Sequence, residues 1–190
     1  MLGKLKKRDN HATSTPCPDG EFDPETGLAN AAGFGEVLGR QIARDLRYGS
    51  SSALALFEIA IAEKSAGGPV PSPAPFVASV LRKAVRGADV VARVAPTLFA
   101  VLLIEADGEG ASQFTERVRT RIGSSPYSRR PDGVSLYVRA WAGVAPWNPR
   151  YETVELYAQA AEQALLATYK GYEAAQEWFR GEGVNKPFIA

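Results

Sequence analysis

Val90-Val91-Ala92-Arg93-Val94-Ala95-Pro96-Thr97-Leu98-Phe99-Ala100-Val101-Leu102-Leu103-Ile104 sets two apolar runs on either side of Ala95-Pro96-Thr97. Runs this short are strands rather than helices, and the proline between them marks a turn, so the stretch predicts a β-hairpin. Just upstream, Phe76, Val77, Val80, Leu81, Ala84 and Val85 recur at helical spacing, with Gly87 as the expected stop. Before that helix, Gly67-Gly68-Pro69 followed by Pro71, Pro73 and Pro75 makes a stiff loop, and Ala53 to Ile61 reads as a buried strand. Phe34, Val37, Leu38, Ile42 and Leu46 predict an amphipathic helix opened near Asn30 and stopped by Gly49. Downstream of the hairpin, Phe114, Val118 and Ile122 predict a helix ending near Gly123, Pro131-Asp132-Gly133 a turn, and Val134 to Val144 one long strand. Val154, Ala158, Ala161 and Leu165 predict a last helix, with Glu152 and Glu155 near its positive end. After the leading helix the order contains βαββαβ, an α+β fold with a ferredoxin-like antiparallel sheet backed by helices.

The 190 residues are 45% hydrophobic, enough for one domain with a proper core. A single histidine and a single cysteine exclude an intramolecular disulfide and a four-ligand zinc site. A Ser-His-Asp or Cys-His nucleophile would have to recruit His11, far from any apolar pattern. The net charge of +1 argues against a general nucleic-acid binder. Ala53 to Ala62, the richest apolar stretch, is interrupted by Glu58 and is too short to cross a bilayer, so no integral membrane segment is expected. Lys4, Lys6, Lys7 and Arg8 are followed by Asp9 and Asn10 rather than by an apolar run, which is no secretory signal. A cytoplasmic location is expected. Residues 1–22 read as a flexible basic leader, 23–172 as the domain, and 173–190 as an extension carrying Trp178, Phe179 and Phe188.

Asp23-Pro24-Glu25-Thr26-Gly27-Leu28-Ala29-Asn30 resembles the D-x-L-T-G-L-x-N opening of GGDEF domains, the diguanylate cyclases that join two GTP molecules into cyclic di-GMP. Phe57-Glu58-Ile59 stands where that family has its first metal-binding strand. Arg86-Gly87-Ala88-Asp89 with Arg93 resembles the run leading to the signature, and Ala95-Pro96-Thr97-Leu98-Phe99 occupies the signature. Thr115-Glu116-Arg117-Val118-Arg119 resembles the helix that follows, Trp141-Ala142-Gly143-Val144-Ala145 the S-x-G-V-A strand, and Ala161-Glu162-Gln163-Ala164-Leu165 the A-D-x-A-L helix. The likeness covers about residues 23 to 171 and implies the nucleotidyl-cyclase palm.

The departures fall on the chemistry. Thr97 and Leu98 replace the signature carboxylates, Pro96 removes a backbone donor, and Ala60 replaces the second acid of the family's D-x-D strand. Glu58 is left as a vestigial metal candidate, or as the partner of a basic side chain at the strand end. No metal, no cofactor and no cyclase activity are therefore expected. The resemblance also implies an inhibitory-type site for cyclic di-GMP, R-x-x-D plus a helix arginine, carried here by Arg86, Asp89 and Arg117. An arginine fork donates to O6 and N7 of guanine, a carboxylate accepts from N1–H and the exocyclic amine, and a second arginine stacks on a base or neutralises a phosphate.

Arg86 and Asp89 read equally well as a surface pair, and a second R-x-x-D at Arg129 to Asp132 shows how readily the pattern arises. The expected function is a non-enzymatic, cyclic di-GMP-binding regulatory domain that relays to an unidentified protein partner. The alternatives are a ligand-independent interaction module and, further off, residual cyclase activity. With no sensor domain or coiled coil in the stretch, a homodimer would have to form through the domain's own surface.

Overall fold

The computed structural model describes residues 20–61 and 70–180. Helix α1 (Ala31–Tyr48) leads into β1 (Ser52–Ile61), α2 (Ala74–Ala84), β2 (Val90–Arg93), β3 (Leu98–Ile104) and α3 (Gly108–Ser124). The short strands β4 (Ser128–Arg129) and β5 (Ser135–Leu136) precede β6 (Val138–Pro146) and α4 (Val154–Arg180). Strands β2, β3, β1 and β6 lie in that order in one sheet, all neighbours antiparallel, which is the ferredoxin-like arrangement.

Side chains alternate across the sheet and both faces are covered. Ala53, Ala55, Phe57 and Ile59 of β1 pack with Val77, Leu81, Phe114 and Val118 under α2 and α3. Leu54 and Leu56 turn the other way, onto Phe34, Leu38, Ile42, Tyr157 and Ala161 of α1 and α4. Two-sided burial explains why β1 reads as a continuous apolar run without alternation.

Asn30 opens α1 by accepting from the backbone N–H groups of Ala32 and Gly33, and Gly49, at φ 63°, closes it. Three sequence expectations shift. Helix α2 ends at Ala84, with Val85 extended as its cap, so Gly87 lies beyond the end rather than at it. The strand expected over 134–144 is broken: Pro131-Asp132-Gly133 turns a small hairpin between β4 and β5, and β6 starts only at Val138. Helix α4 continues to Arg180, through the first part of the stretch taken as an extension. Phe188 and most of the basic leader lie outside the described residues, while Glu21 and Phe22 already pair with Asn30 and Ala29.

Asp45, on α1, is completely buried and accepts from Gln41 Nε2 at 2.7 Å, Ser50 Oγ at 2.5 Å and Ser52 Oγ at 2.6 Å. The Tyr157 hydroxyl lies 3.3 Å from Ser52 Oγ, and burial pushes its pKa up, so it stays protonated. This network joins α1, β1 and α4 at one end of the sheet. Asp45→Ala leaves three donors without an acceptor, and chemical denaturation is expected to show a loss of about 2–4 kcal/mol.

Candidate functional site

The hairpin of β2 and β3 organises the site. Asp89 lies between the end of α2 and the start of β2. Its Oδ2 accepts the Arg86 N–H at 2.8 Å and its Oδ1 the Ile104 N–H at 3.0 Å. The carboxylate therefore ties the α2–β2 turn to the far end of β3. It does not form the surface ion pair with the Arg86 side chain that the spacing allows. The other R-x-x-D behaves differently, since there Arg130, not Arg129, pairs with Asp132 at 2.9 Å.

Beside Asp89 a groove of about 450 Å³ runs between the end of α2, the β3–α3 turn and α3. Arg86, Asp89, Glu105, Asp107, Gln113 and Arg117, together with Ser51, supply its polar lining, so the three residues proposed from sequence are brought together. Arg86 and Arg117 are exposed, and neither makes an ion pair among the described residues. Arg117 rests its guanidinium 5.5 Å from the centre of the Phe114 ring, which holds it on the groove side of α3 by a cation–π contact. Its neighbour Arg119 is taken up by Glu116 at 2.5 Å. Asp107 caps α3 by accepting from the Gly110 N–H at 2.7 Å. Glu105 and Gln113 lay outside the sequence reading, because no motif marks the turn after β3.

At the opposite end of β2, the turn Ala95-Pro96-Thr97 is exposed and joins β2 to β3. Leu98 begins β3, and Phe99 is buried in the core. Arg93 folds over this turn, donating from Nε and Nη2 to the Pro96 carbonyl at 3.3 and 2.9 Å. Its Nη1 reaches Asp23 at 3.2 Å and Glu25 at 2.5 Å. Asp23 in turn accepts from the Thr26 N–H and hydroxyl. The sequence shows the signal for this cluster only in retrospect: Glu25 stands at the leucine of D-x-L-T-G, one strand away from an arginine.

Partial burial pushes the Asp23 carboxyl up, but its bonds from Thr26 and Arg93 outweigh this and hold it below the usual carboxylate range. Bonds from Ser72 and Arg93 likewise hold Glu25 low. A depressed carboxyl stabilises the fold above its unfolded pKa and ceases to do so as pH falls through the folded value. Unfolding followed between pH 6 and pH 2 should therefore show stability lost below about pH 4 in the wild type. Arg93→Ala should flatten that part of the curve.

Glu58, the vestigial metal candidate, lies in β1 opposite Leu98 and Trp141 and makes no ion pair among the described residues, so the basic partner expected for it is not found. No three His, Cys, Asp or Glu side chains come close enough to hold a metal ion among those residues. No helix among them is long and apolar enough to cross a membrane.

Residues 76–172 match the family model described as "Diguanylate cyclase, GGDEF domain". The chain belongs to the GGDEF family. A curated relative, the diguanylate cyclase DgcP of Pseudomonas aeruginosa, is 33% identical over 150 residues, which are 75% of this chain and 22% of that protein. The chain thus spans only about a fifth of that relative. Among solved structures, the GGDEF domain of DgcB from Caulobacter crescentus in complex with c-di-GMP superposes with a TM-score of 0.69 at 20% identity, covering 90% of this chain and 94% of that one. Diguanylate cyclase SiaD of Pseudomonas aeruginosa, in complex with its activator SiaC, gives 0.68 at 23%, covering 80% and 59%. These likenesses confirm the nucleotidyl-cyclase palm expected from the sequence.

They also correct one expectation. The sequence reading took the chain to be no enzyme, whereas the GGDEF family it belongs to is one of diguanylate cyclases and the curated relative is itself named as one. That reading rested on a few side chains, Ala60, Pro96, Thr97 and Leu98, while family membership is carried by the whole palm and the order of its motifs.

Proposed function

We propose that this GGDEF domain binds cyclic di-GMP in the groove formed by Arg86, Asp89 and Arg117 and responds to its concentration. One observation carries the reading: two arginines free of any ion pair among the described residues face one groove with a carboxylate between their elements. Arg119 and Arg130, by contrast, are taken up by Glu116 and Asp132. Unpaired guanidinium groups held in a concave site suit a planar, hydrogen-bonding anion, and guanine's O6 and N7 fit one guanidinium fork. The ligand's two phosphates would meet positive charge from Arg86 and Arg117. The c-di-GMP complex of the DgcB domain supports the choice of ligand.

The proposal extends to a protein partner to which the bound state is relayed. The activator held by SiaD supports that part. A homodimer through the domain's own surface belongs to the same proposal, as does a cytoplasmic location, where the nucleotide would be met.

Titration calorimetry of the purified chain with cyclic di-GMP tests the binding directly. Saturable heat is expected at nucleotide concentrations on the order of tens of micromolar, which corresponds to a binding free energy of about −6 kcal/mol. No heat in that range removes the reading.

A further inference from the structure

We infer that Glu105, rather than Asp89 alone, reads the hydrogen-bonding edge of guanine in this groove. This rests on the proposed cyclic di-GMP site and assigns its specificity. Two observations single out Glu105. Its backbone sits at φ 52°, making it the only non-glycine residue in the left-handed region among the described residues. A glutamate gains nothing locally from that conformation, which favours glycine. Nor does its side chain recover the strain through structure, since it is exposed and makes no hydrogen bond or ion pair among those residues. Strain held at a groove with no structural return points to a ligand.

The other carboxylates of the groove are committed. Asp89 has one backbone N–H on each oxygen, which fixes its plane, and Asp107 is engaged with the Gly110 N–H at the start of α3. Guanine presents two adjacent donors, N1–H and the exocyclic amine, which a carboxylate accepts side by side. Of the three carboxylates, only Glu105 has both oxygens uncommitted and a side chain free to turn toward the ligand. Adenine offers an acceptor at N1 and would meet the same carboxylate with repulsion. Glu105 therefore favours cyclic di-GMP over cyclic di-AMP, while Arg86 and Arg117 serve either dinucleotide's phosphates.

Calorimetry with both dinucleotides on the wild type, Glu105→Gln and Glu105→Gly tests this. Glu105→Gln should weaken cyclic di-GMP binding by about 10- to 30-fold, the loss of a hydrogen bond to a charged group, and leave cyclic di-AMP binding unchanged or stronger. Glu105→Gly should weaken cyclic di-GMP binding similarly while raising the thermal unfolding midpoint, because glycine accepts the left-handed backbone. A purely structural residue would not move stability and affinity in opposite directions. Wild-type binding of cyclic di-GMP that both variants retain overturns this inference alone. A wild type that takes neither dinucleotide overturns the proposed site and the inference with it.

Discussion

Gly143→Ala is expected to lower the unfolding free energy by about 3 kcal/mol, since a Cβ there meets closer atoms than at any other glycine among the described residues. A Cβ at Gly143 would lie 2.1 Å from the Leu165 nitrogen, 2.4 Å from its Cα and 2.6 Å from the Ala164 carbonyl carbon. All three are backbone atoms of α4, so no side chain can swing aside. The helix would have to lift off the sheet, and Thr168 would lose its hydrogen bond to the Ala142 carbonyl. The contact of Trp141 with Tyr169, at 4.7 Å between ring centres, would open as well. Urea denaturation gives the stability, and indole fluorescence the environment of Trp141. Gly35→Ala is the control, since an added Cβ there meets nothing within 4 Å on α1 and should be neutral or stabilising by about 0.5–1 kcal/mol. A Gly143→Ala protein as stable as the wild type would mean that the strand and helix do not touch as described.

The second large effect is on binding. Arg86→Ala and Arg117→Ala should each weaken cyclic di-GMP binding by about 10- to 100-fold, the range set by ~1.5–3 kcal/mol for a hydrogen bond to a charged group. The double variant should show no heat at any practical concentration. Arg86→Lys should recover only part of the loss, because an ammonium cannot match the two acceptors of guanine at once. Neither arginine makes an ion pair among the described residues, so thermal unfolding should shift little in any of these variants. Binding that survives Arg86→Ala and Arg117→Ala undiminished would place the nucleotide elsewhere. Asp89 is a poorer probe. Its carboxylate holds the backbone of Arg86 and Ile104, so its removal would disturb the groove's wall together with any contact to the ligand.

The fold was legible because periodicity and punctuation agreed along most of the chain. The hairpin at 90–104, the helix faces of Phe34 to Ile42 and of Phe114 to Ile122, and the buried run of β1 all appear where their patterns put them. The failures are at ends and turns. Gly87 looked like a helix stop, but Asp89's grip on the Arg86 N–H holds that turn, a link no local pattern shows. The break at Tyr137 is equally invisible, since the residues from 134 to 144 read as one strand by composition while the β4–β5 hairpin divides them.

For the site, the sequence placed Arg86, Asp89 and Arg117 in one groove through their positions around the hairpin. It could not show that Asp89 is tied to two backbone groups, or that Glu105 sits beside it in a strained conformation. Both follow from a turn whose backbone angles no spacing records. The expectation of a non-enzyme was drawn from four side chains, Ala60, Pro96, Thr97 and Leu98, and is overturned by the family match and the curated relative, both described as diguanylate cyclase. The family itself was legible in the order of the motifs, because that order is set by the sheet and the helices that cover it.

Helix α4 is 27 residues long and meets β6 main chain to main chain at Leu165. With no side chain between them, this contact is a fulcrum. The fifteen residues beyond it carry the helix end roughly 22 Å away at ~1.5 Å per residue. A tilt of 5° about Leu165 would displace that end by about 2 Å. The contact thus works as a lever, turning a small rotation of the helix into a displacement of atomic size at its far end.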